Sequence, residues 1–293
     1  EIGAVSVQVA ERMGKPWAIE VVGCPRDCIW YHGRWEGKLF APYSWWRTRR
    51  LLRRAPFALY VSSSFLQRRY PCPGKTVSCS NVNIKLMENQ RFLKKLERFN
   101  NLTFPVNIGF IGNLTVKYKG LDVALRALSL ARPCLPPFRF HILGGGDASP
   151  WKVMAEQLGL ADQTFFCGTK PRGDAVLEWL DGIDLYVHPS RTEGLPRALI
   201  EAMSRGCPAL GSTAGGIPEL LPQWCLFEKG DHRQLSRLFI KTLNDKELLA
   251  RMASSSYARA AEYTSEVLNA RRLSYLQQYA EYVVQRTSGV ITL

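Results

Sequence analysis

The sequence contains no apolar run that approaches the ~20 residues of a membrane-spanning helix, and residues 1–12 lack the pattern of a secretion signal. Its eight cysteines show neither paired C-x-x-C spacing nor a neighbouring histidine cluster. Disulfides and structural zinc are therefore poor interpretations and free thiols are favoured, although Cys24 and Cys28 lie four residues apart and could form a ligand pair. These absences argue against a spanning, secreted or disulfide-stapled protein.

The apolar content of the chain is high enough for a real core. Hydrophobic residues make up 46% and charged residues 22% of 293 residues. This composition excludes intrinsic disorder, and the length leaves room for two domains of ordinary size.

Positive charge is concentrated in the first third. Residues 1–103 hold 18 Lys and Arg against 7 Asp and Glu, and the densest part, 44–54, interleaves five arginines with two tryptophans and two leucines. Such a segment is typical of an interfacial helix on anionic lipid, and a solvated helix face with Trp in the core is the alternative. Nucleic acid is not predicted, because no zinc-finger spacing, RNP sequence or recognition helix accompanies the charge. The predicted membrane contacts are Trp45, Trp46, Arg49, Arg50, Arg53 and Arg54.

From Thr103 onward, short apolar runs alternate with helical patterns, which predicts β-α units around a parallel sheet. Strands are predicted at 106–112, 138–143, 164–167, 184–187 and 208–211, and helices at 120–131, 151–158, 174–180 and 196–205. Ligands of such a sheet bind beyond the carboxyl ends of its strands. The loops that follow the strands are therefore the place to seek chemistry.

The first hundred residues show fewer elements of the same kind. We predict a helix ending near Gly14, strands at 17–22 and 58–62, a basic helix near 43–55, and a linker or crossing helix at 86–101. A doubly wound domain normally needs five or six strands, so this domain is expected to be incomplete. The predicted division is 1–103, 104–270 and a helix in 271–293 that packs back on the first domain, with helices at 231–243, 245–263 and 265–286.

The segment from His188 to Gly206 is the most informative. A strand ends before it, Pro196 suits the first turn of a helix, and Gly206 suits its end. The free N–H groups near Gly194 and Leu195, with the helix dipole behind them, predict a phosphate site.

Two carboxylates, Glu193 and Glu201, bracket this helix start. A carboxylate repels a phosphate anion and cannot bind it, so hydroxyl groups are the expected partners of both glutamates. Pro196 and Glu201 are about 7.5 Å apart along a helix axis, roughly the reach from a diphosphate to its ribose.

A second loop, from Gly112 to Gly120, follows the first strand of this half. Lys117 and Lys119 lie in it and could neutralise phosphate as point charges, although a solvated loop is the alternative, more so for Lys117. The turn at Gly144 permits close backbone approach but lacks the spacing of a dinucleotide fingerprint.

These motifs resemble those of family 4 retaining glycosyltransferases of the GT-B fold, also described as glycosyl transferases group 1. Glu193 and Glu201 reproduce the family's E-x7-E element, the loop from Gly112 to Gly120 resembles its G-R-L…K-G element, and 213–219 resembles its G-G-x-x-E element. The likeness is strong over 107–221. It implies an α/β fold with two Rossmann-like parallel-sheet domains, the N-terminal one incomplete.

The resemblance implies a UDP- or GDP-sugar as the donor substrate, with no cofactor and no metal, and the sequence has no Asp-x-Asp. It places Glu201 on the ribose, Glu193 on the transferred sugar, and Lys119 with the amides near Gly194 on the diphosphate. The donor site would also include Gly112, Asn113, Gly144 and Leu195. The transition state would be oxocarbenium-like, with the leaving phosphate accepting the acceptor's proton on the same face.

The sequence departs from the family pattern at two places. Asn113 replaces the family's arginine, so one of two expected diphosphate cations is missing. On the acceptor side, Asp27 is the preferred catalytic residue and His32 the lesser candidate, and a structural role for either is an open alternative.

The expected function is transfer of a sugar to a glycan or lipid-linked acceptor in cell-surface polysaccharide synthesis. The expected place is the cytoplasm, peripheral at the inner face of the cell membrane. A non-catalytic sugar-nucleotide binder or an inactive fragment of the enzyme is the alternative, because a chain that begins at Glu1 would lack the opening β-α units and is expected to be poorly active. No sequence signature favours an epimerase or a phosphorylase.

Overall fold

The computed structural model of the chain describes residues 2–32, 35–101 and 104–288. Its strands are β1 (Ile19–Val21), β2 (Phe57–Tyr60), β3 (Lys75–Ser78), β4 (Val106–Ile111), β5 (Phe138–Leu143), β6 (Thr164–Phe166), β7 (Leu185–His188), β8 (Ala209–Ser212) and β9 (Leu226–Phe227). Its helices are α1 (Ile2–Arg12), α2 (Pro25–Trp30), α3 (Trp35–Leu52), α4 (Phe65–Arg69), α5 (Asn89–Asn100), α6 (Leu121–Ala131), α7 (Ser149–Gln157), α8 (Asp174–Asp181), α9 (Arg197–Ser204), α10 (His232–Leu243), α11 (Lys246–Ala260) and α12 (Ser265–Ser288).

The described strands form two parallel sheets. The first sheet has the order β1-β2-β3, and the second has the order β6-β5-β4-β7-β8-β9. Every residue of β2, β7 and β8 is buried. Near-continuous apolar strands are expected where helices cover both faces of a parallel sheet.

The second half follows the sequence prediction closely. Each of the five predicted strands and four predicted helices is present, with bounds that shift by at most two residues. The structure adds β9, a two-residue strand at the edge of the sheet. Helix α9 begins at Arg197 and Pro196 precedes it as the N-cap residue, so the prediction of Pro196 inside the first turn was wrong by one residue.

The first half departs further from prediction. Helix α3 begins at Trp35, eight residues before the predicted start, because it continues through Pro42. A proline inside a helix removes one backbone hydrogen bond, which is why the sequence pattern favoured a start after it. Helices α2 and α4 were not predicted. No helix in the described part of the chain is both long and apolar enough to cross a bilayer.

Helix α12 lies against the first sheet. The rings of Tyr275, Tyr279 and Tyr282 surround that of Phe57 at centroid distances of 6.0, 5.4 and 5.1 Å. The thiol of Cys79 donates to the Leu268 carbonyl over 3.4 Å. The end of the chain therefore contributes to the core of its first half.

The carboxylate of Glu219 binds a backbone segment of the first half. Glu219, from the second half, accepts from the backbone N–H groups of Ser63, Ser64 and Phe65 at 2.6, 3.1 and 2.6 Å. The hydroxyls of Ser63 and Ser64 add bonds of 2.7 and 3.1 Å. Burial raises the pKa of Glu219, but these hydrogen bonds outweigh burial and lower it below its ordinary value. We call this contact the Glu219 clasp.

Candidate functional site

The order of the second sheet places two loops side by side. Along the chain, β4, β5 and β6 extend the sheet in one direction, and β7 and β8 extend it in the other from the far side of β4. Such a switch point opens a crevice at the carboxyl ends of the strands. The loop after β4 and the loop after β7 meet there, since Arg191 N–H donates to the Tyr118 carbonyl over 2.7 Å.

An ion pair and a glycine fix these two loops against each other. Arg191 binds the carboxylate of Asp122, at the start of α6, through two hydrogen bonds of 2.8 and 2.7 Å. Gly120 has a φ of +76°, and a Cβ there would collide with the Pro189 carbonyl. A side chain at this position would force the loops apart, which explains the glycine.

Glu193 lies at the centre of the crevice and is almost buried. Its Oε1 accepts hydrogen bonds from Lys119 Nζ at 2.6 Å and Ser190 Oγ at 2.7 Å, and His188 Nε2 lies 3.0 Å away. Burial raises the pKa of the Glu193 carboxyl, but the hydrogen bond from His188 and the charge of Lys119 outweigh burial and lower the pKa to about 2. Glu193 is therefore a carboxylate at neutral pH.

His188 and Ser190 orient this carboxylate, and the sequence prediction assigned them no role. Because the Glu193 carboxylate can only accept a hydrogen bond, Nε2 of His188 carries the proton of the imidazole. The other ring nitrogen, Nδ1, faces the Tyr186 hydroxyl at 3.2 Å. Burial raises the pKa of Tyr186, which keeps its hydroxyl protonated. Residues 186 and 188 lie in β7 and residue 190 follows the strand at the same spacing of two, and this spacing was the signal that could have revealed them.

The backbone beside Glu193 is closely packed. A Cβ at Gly194 would collide with the Val22 carbonyl, so the second half touches the first here. Gly216 N–H donates to the Gly194 carbonyl over 2.9 Å, and a Cβ at Gly215, where φ is +59°, would collide with the Glu193 carbonyl. The loop that carries the Glu219 clasp therefore also supports the backbone of Glu193.

A cavity of about 570 Å³ occupies the crevice. Among the predicted donor-site residues, those that line it are Gly112, Lys119, Gly144, Glu193, Gly194, Leu195 and Glu201. The lining also includes His188, Arg197 and a basic segment with Lys170 and Arg172 that the sequence analysis did not single out. Cations and two carboxylates therefore share one cavity large enough for a nucleotide.

Glu201 lies one helical turn inside α9 and is half-buried. Burial raises the pKa of its carboxyl above the ordinary value, while Arg197 and Arg172 act in the opposite direction. The two glutamates of the predicted pair thus have opposite pKa shifts in the same cavity. Glu201 accepts no hydrogen bond from another side chain in the described ranges, in contrast to Glu193.

Asn113 does not line the cavity. Its side-chain oxygen accepts from the backbone N–H of Thr115 over 2.8 Å, which closes a turn within its own loop. Lys117 also lies outside the cavity lining, and its carbonyl accepts from Arg191 over 3.0 Å. Lys119 is therefore the lysine of this loop that lines the cavity.

The two predicted acceptor-side residues do not line the cavity that contains Glu193. Asp27, on α2, lies 2.6 Å from Arg69 and 3.5 Å from Arg26. His32 is exposed and lines a separate cavity with Glu36. Their predicted roles in catalysis and acceptor binding therefore stay predictions.

The side chains of the predicted membrane segment differ in burial. Trp45 is partly buried, with the Arg49 guanidinium 5.1 Å from its ring centroid, whereas Trp46 is 49% exposed with Arg50 at 5.4 Å. Arg53 and Arg54 are exposed beyond the end of α3, and Arg54 lies 3.4 Å from Glu11. The exposed apolar side chains of α3 are Trp35, Leu39, Phe40, Tyr43 and Trp46.

No cluster of His, Cys, Asp and Glu that could hold a metal ion occurs within 2–32, 35–101 or 104–288. The eight cysteines are free thiols in this structure. Cys24 Sγ contacts the Tyr70 hydroxyl at 3.2 Å, and Cys28 is exposed, so the two sulfurs have different surroundings.

Most of the chain is similar in sequence to known proteins. A family model described as glycosyl transferases group 1 matches residues 94–259, more than half of the chain. The chain is 27% identical over 282 residues to Protein CapJ of Staphylococcus aureus, covering 96% of this chain and 70% of CapJ. It is 29% identical over 244 residues to the putative colanic acid biosynthesis glycosyltransferase WcaL of Escherichia coli strain K12, covering 78% of this chain and 58% of WcaL.

A solved structure shows the same architecture. Alr3699/HepE of Anabaena, in complex with UDP, superposes with a TM-score of 0.69 at 19% identity, covering 97% of this chain and 75% of HepE. The predicted GT-B fold is thereby confirmed. The match of the family model confirms the predicted resemblance to glycosyl transferases group 1. The chain belongs to the glycosyl transferases group 1 family.

Proposed function

We propose that the chain transfers a sugar from a nucleotide-diphosphate sugar to a glycan or lipid-linked acceptor, with retention of anomeric configuration. The observation that carries this proposal is the pairing of Lys119 with Glu193 in a cavity at the switch point of the second sheet. Two loops that are far apart in sequence present a cation and a carboxylate to the same cavity. UDP is the preferred nucleotide, since structures of HepE are described with UDP and with UDP-glucose.

The donor would lie with its diphosphate between Lys119 and the start of α9. The N–H groups at this helix start and the Lys119 ammonium favour negative charge, and they would stabilise the leaving diphosphate as the bond to the sugar breaks. Arg197 lines the same cavity and adds positive charge. Glu201, which has no side-chain donor in the described part of the chain, is available to accept from the ribose hydroxyls.

Glu193 would position the transferred sugar. Its three side-chain hydrogen bonds all use Oε1, and no residue of the described ranges bonds to Oε2. Oε2 is thus available to a sugar hydroxyl. In the reaction, the bond from C1 to the diphosphate oxygen breaks, the acceptor oxygen bonds to C1 on the same face, and its proton passes to the leaving phosphate oxygen.

The biological setting is proposed from the relatives. WcaL is named for colanic acid biosynthesis and a further relative for amylovoran biosynthesis, so we propose a role in cell-surface polysaccharide synthesis. We place the protein in the cytoplasm, peripheral at the inner face of the membrane, on the basis of the arginines and exposed aromatic side chains of α3. We propose that transfer needs no metal.

The experiment is calorimetric titration with UDP and GDP, followed by a nucleotide-release assay with UDP-sugars in the presence of EDTA. Binding of UDP with subsequent release from the sugar donor supports a transferase. A non-catalytic binder is the second candidate, because Asn113 is used within its own loop and supplies no charge to the donor. Binding of UDP without any turnover of the sugar donors would favour that candidate.

A further inference from the structure

The first half contains another cavity, of about 500 Å³, whose lining is rich in arginine. Four arginines contribute to it, together with Trp45 and Pro42. They come from three helices: Arg26 from α2, Arg49 from α3, and Arg68 with Arg69 from α4. We call this cavity the arginine pocket.

The charges of the arginine pocket are poorly balanced. Asp27 lies 2.6 Å from Arg69 and 3.5 Å from Arg26. Within the described ranges, no acidic side chain lies within ion-pair distance of Arg49 or Arg68. The pocket therefore carries a net positive charge.

Two guanidinium groups also have unused hydrogen-bond donors. The Nε atoms of Arg49 and Arg69 are buried and have no hydrogen-bond partner among the described residues. Buried N–H groups are rarely left unpaired in proteins. Each of these two guanidinium groups therefore lacks one hydrogen bond from the described residues.

Aromatic rings hold three of the guanidinium groups in place. Arg49 lies 5.1 Å from the Trp45 ring, Arg26 lies 5.8 Å from the Trp30 ring, and Arg69 lies 5.9 Å from the Phe65 ring. Stacked guanidinium groups lose less freedom when they bind an oxyanion, and their planar forks match the oxygens of phosphate. The cluster is thus organised for a phosphate before one arrives.

A short stretch of chain connects the arginine pocket to the cavity lined by Lys119, Glu193 and Glu201. We call the latter the donor cavity, because the donor is proposed to bind there. Val22 lines the donor cavity and touches Gly194, and α2, which carries Arg26, begins three residues later. Helix α2, which supplies Arg26 to the arginine pocket, therefore starts beside the donor cavity.

We propose that the arginine pocket binds the phosphate or diphosphate ester of a phosphorylated acceptor. Its role as an acceptor site rests on the proposed transferase function, whereas the binding of a phosphate ester does not. Phosphate esters could also come from the headgroups of an anionic bilayer, so the test must separate these two sources.

The test compares three variants by calorimetry with inorganic pyrophosphate and with geranyl diphosphate as probes. Arg49→Gln and Arg68→Gln are expected to weaken binding of both probes at least tenfold. The control is Arg47→Gln, which removes the same charge from α3 but lies outside the arginine pocket, and it should leave affinity unchanged. Equal affinities in Arg49→Gln and Arg47→Gln would overturn the proposal, because binding would then reflect the donor cavity or general charge.

Vesicles of phosphatidylglycerol, compared with vesicles of phosphatidylcholine, distinguish the source of the phosphate. If Arg49→Gln weakens vesicle binding but not binding of geranyl diphosphate, the pocket serves lipid headgroups and the proposal is wrong. UDP titration of the same variants keeps the two proposals separate. Loss of probe binding with UDP affinity retained supports the pocket, while a wild type that binds geranyl diphosphate through Arg49 but no nucleotide would contradict only the transferase function.

Discussion

Lys119 Nζ and Glu193 Oε1 are 2.6 Å apart, although the sequence assigns these residues to different parts of the donor. In the structure the cation expected on the diphosphate and the carboxylate expected on the sugar hold each other. This pair keeps both charges in place in a nearly buried site. On donor binding, Lys119 would share its charge with the diphosphate while His188 and Ser190 continue to hold Glu193.

The low pKa of Glu193 predicts a specific loss of stability in acid. Because the pKa falls from 4.5 to about 2 on folding, the carboxylate stabilises the protein above pH 4.5, and this contribution disappears as the pH falls towards 2. Its size is of the order of 3 kcal/mol. Urea unfolding of the wild type and Glu193→Gln at pH 3 to 6 measures it.

The wild type should lose stability more steeply than Glu193→Gln between pH 4.5 and pH 3. Glu156→Gln, an exposed substitution on α7, serves as the matched control and should follow the wild type. Parallel curves for all three proteins would contradict the assignment.

Glu201→Gln should weaken nucleotide binding more than it slows turnover. A charged acceptor to a ribose hydroxyl contributes about 1.5–3 kcal/mol, which corresponds to about 10–100-fold in the dissociation constant of UDP. Calorimetry gives the affinity, and initial rates separate KM from kcat. If kcat falls while KM stays constant, Glu201 does not act on the ribose.

Removal of the Glu219 clasp should loosen the contact between the two halves. Glu219→Ala leaves three backbone N–H groups at Ser63, Ser64 and Phe65 without their acceptor, and we expect a loss of about 1–3 kcal/mol in the free energy of unfolding. Ser63→Ala removes only the hydrogen bond from the Ser63 hydroxyl and keeps the three backbone hydrogen bonds, so it should cost clearly less. Urea unfolding checks the order, and equal effects of the two variants would show that the clasp does not act as a unit.

The exposed face of α3 should carry membrane binding. Reversing Arg50, Arg53 and Arg54 to Glu should reduce sedimentation with phosphatidylglycerol vesicles at least tenfold, since each basic residue near an anionic surface contributes about 1 kcal/mol. Reversing Arg126, Lys152 and Arg237, which are exposed in the second half, changes the net charge equally and is the control. The same loss in both triple variants would show that α3 is not the contact.

Much of the second half could be predicted from sequence because its strands are short apolar runs and its helices end at glycines such as Gly206. Strand β9 was not predicted, because two residues carry no pattern. The start of α3 was predicted too late, because Pro42 lies inside this helix. The spacing of Glu193 and Glu201 revealed the cavity.

Contacts between distant segments could not be predicted in the same way. Asp27 pairs with Arg69, and Glu219 binds the segment from Ser63 to Phe65, which precedes it by more than 150 residues. No periodicity connects such residues, since only the packing of the two halves brings them together. For the same reason the arginine pocket was invisible in the sequence, where Arg49 looked like part of a membrane face.

The central claim is that the cavity between Lys119 and Glu201 binds a nucleoside diphosphate. Titration calorimetry of UDP against the wild type, Lys119→Gln and Lys152→Gln tests it most directly, because Lys152 is an exposed lysine outside the cavity. We expect one UDP site, at least tenfold weaker binding in Lys119→Gln, and unchanged binding in Lys152→Gln. Absence of UDP binding to the wild type, or equal affinity in all three proteins, would contradict it.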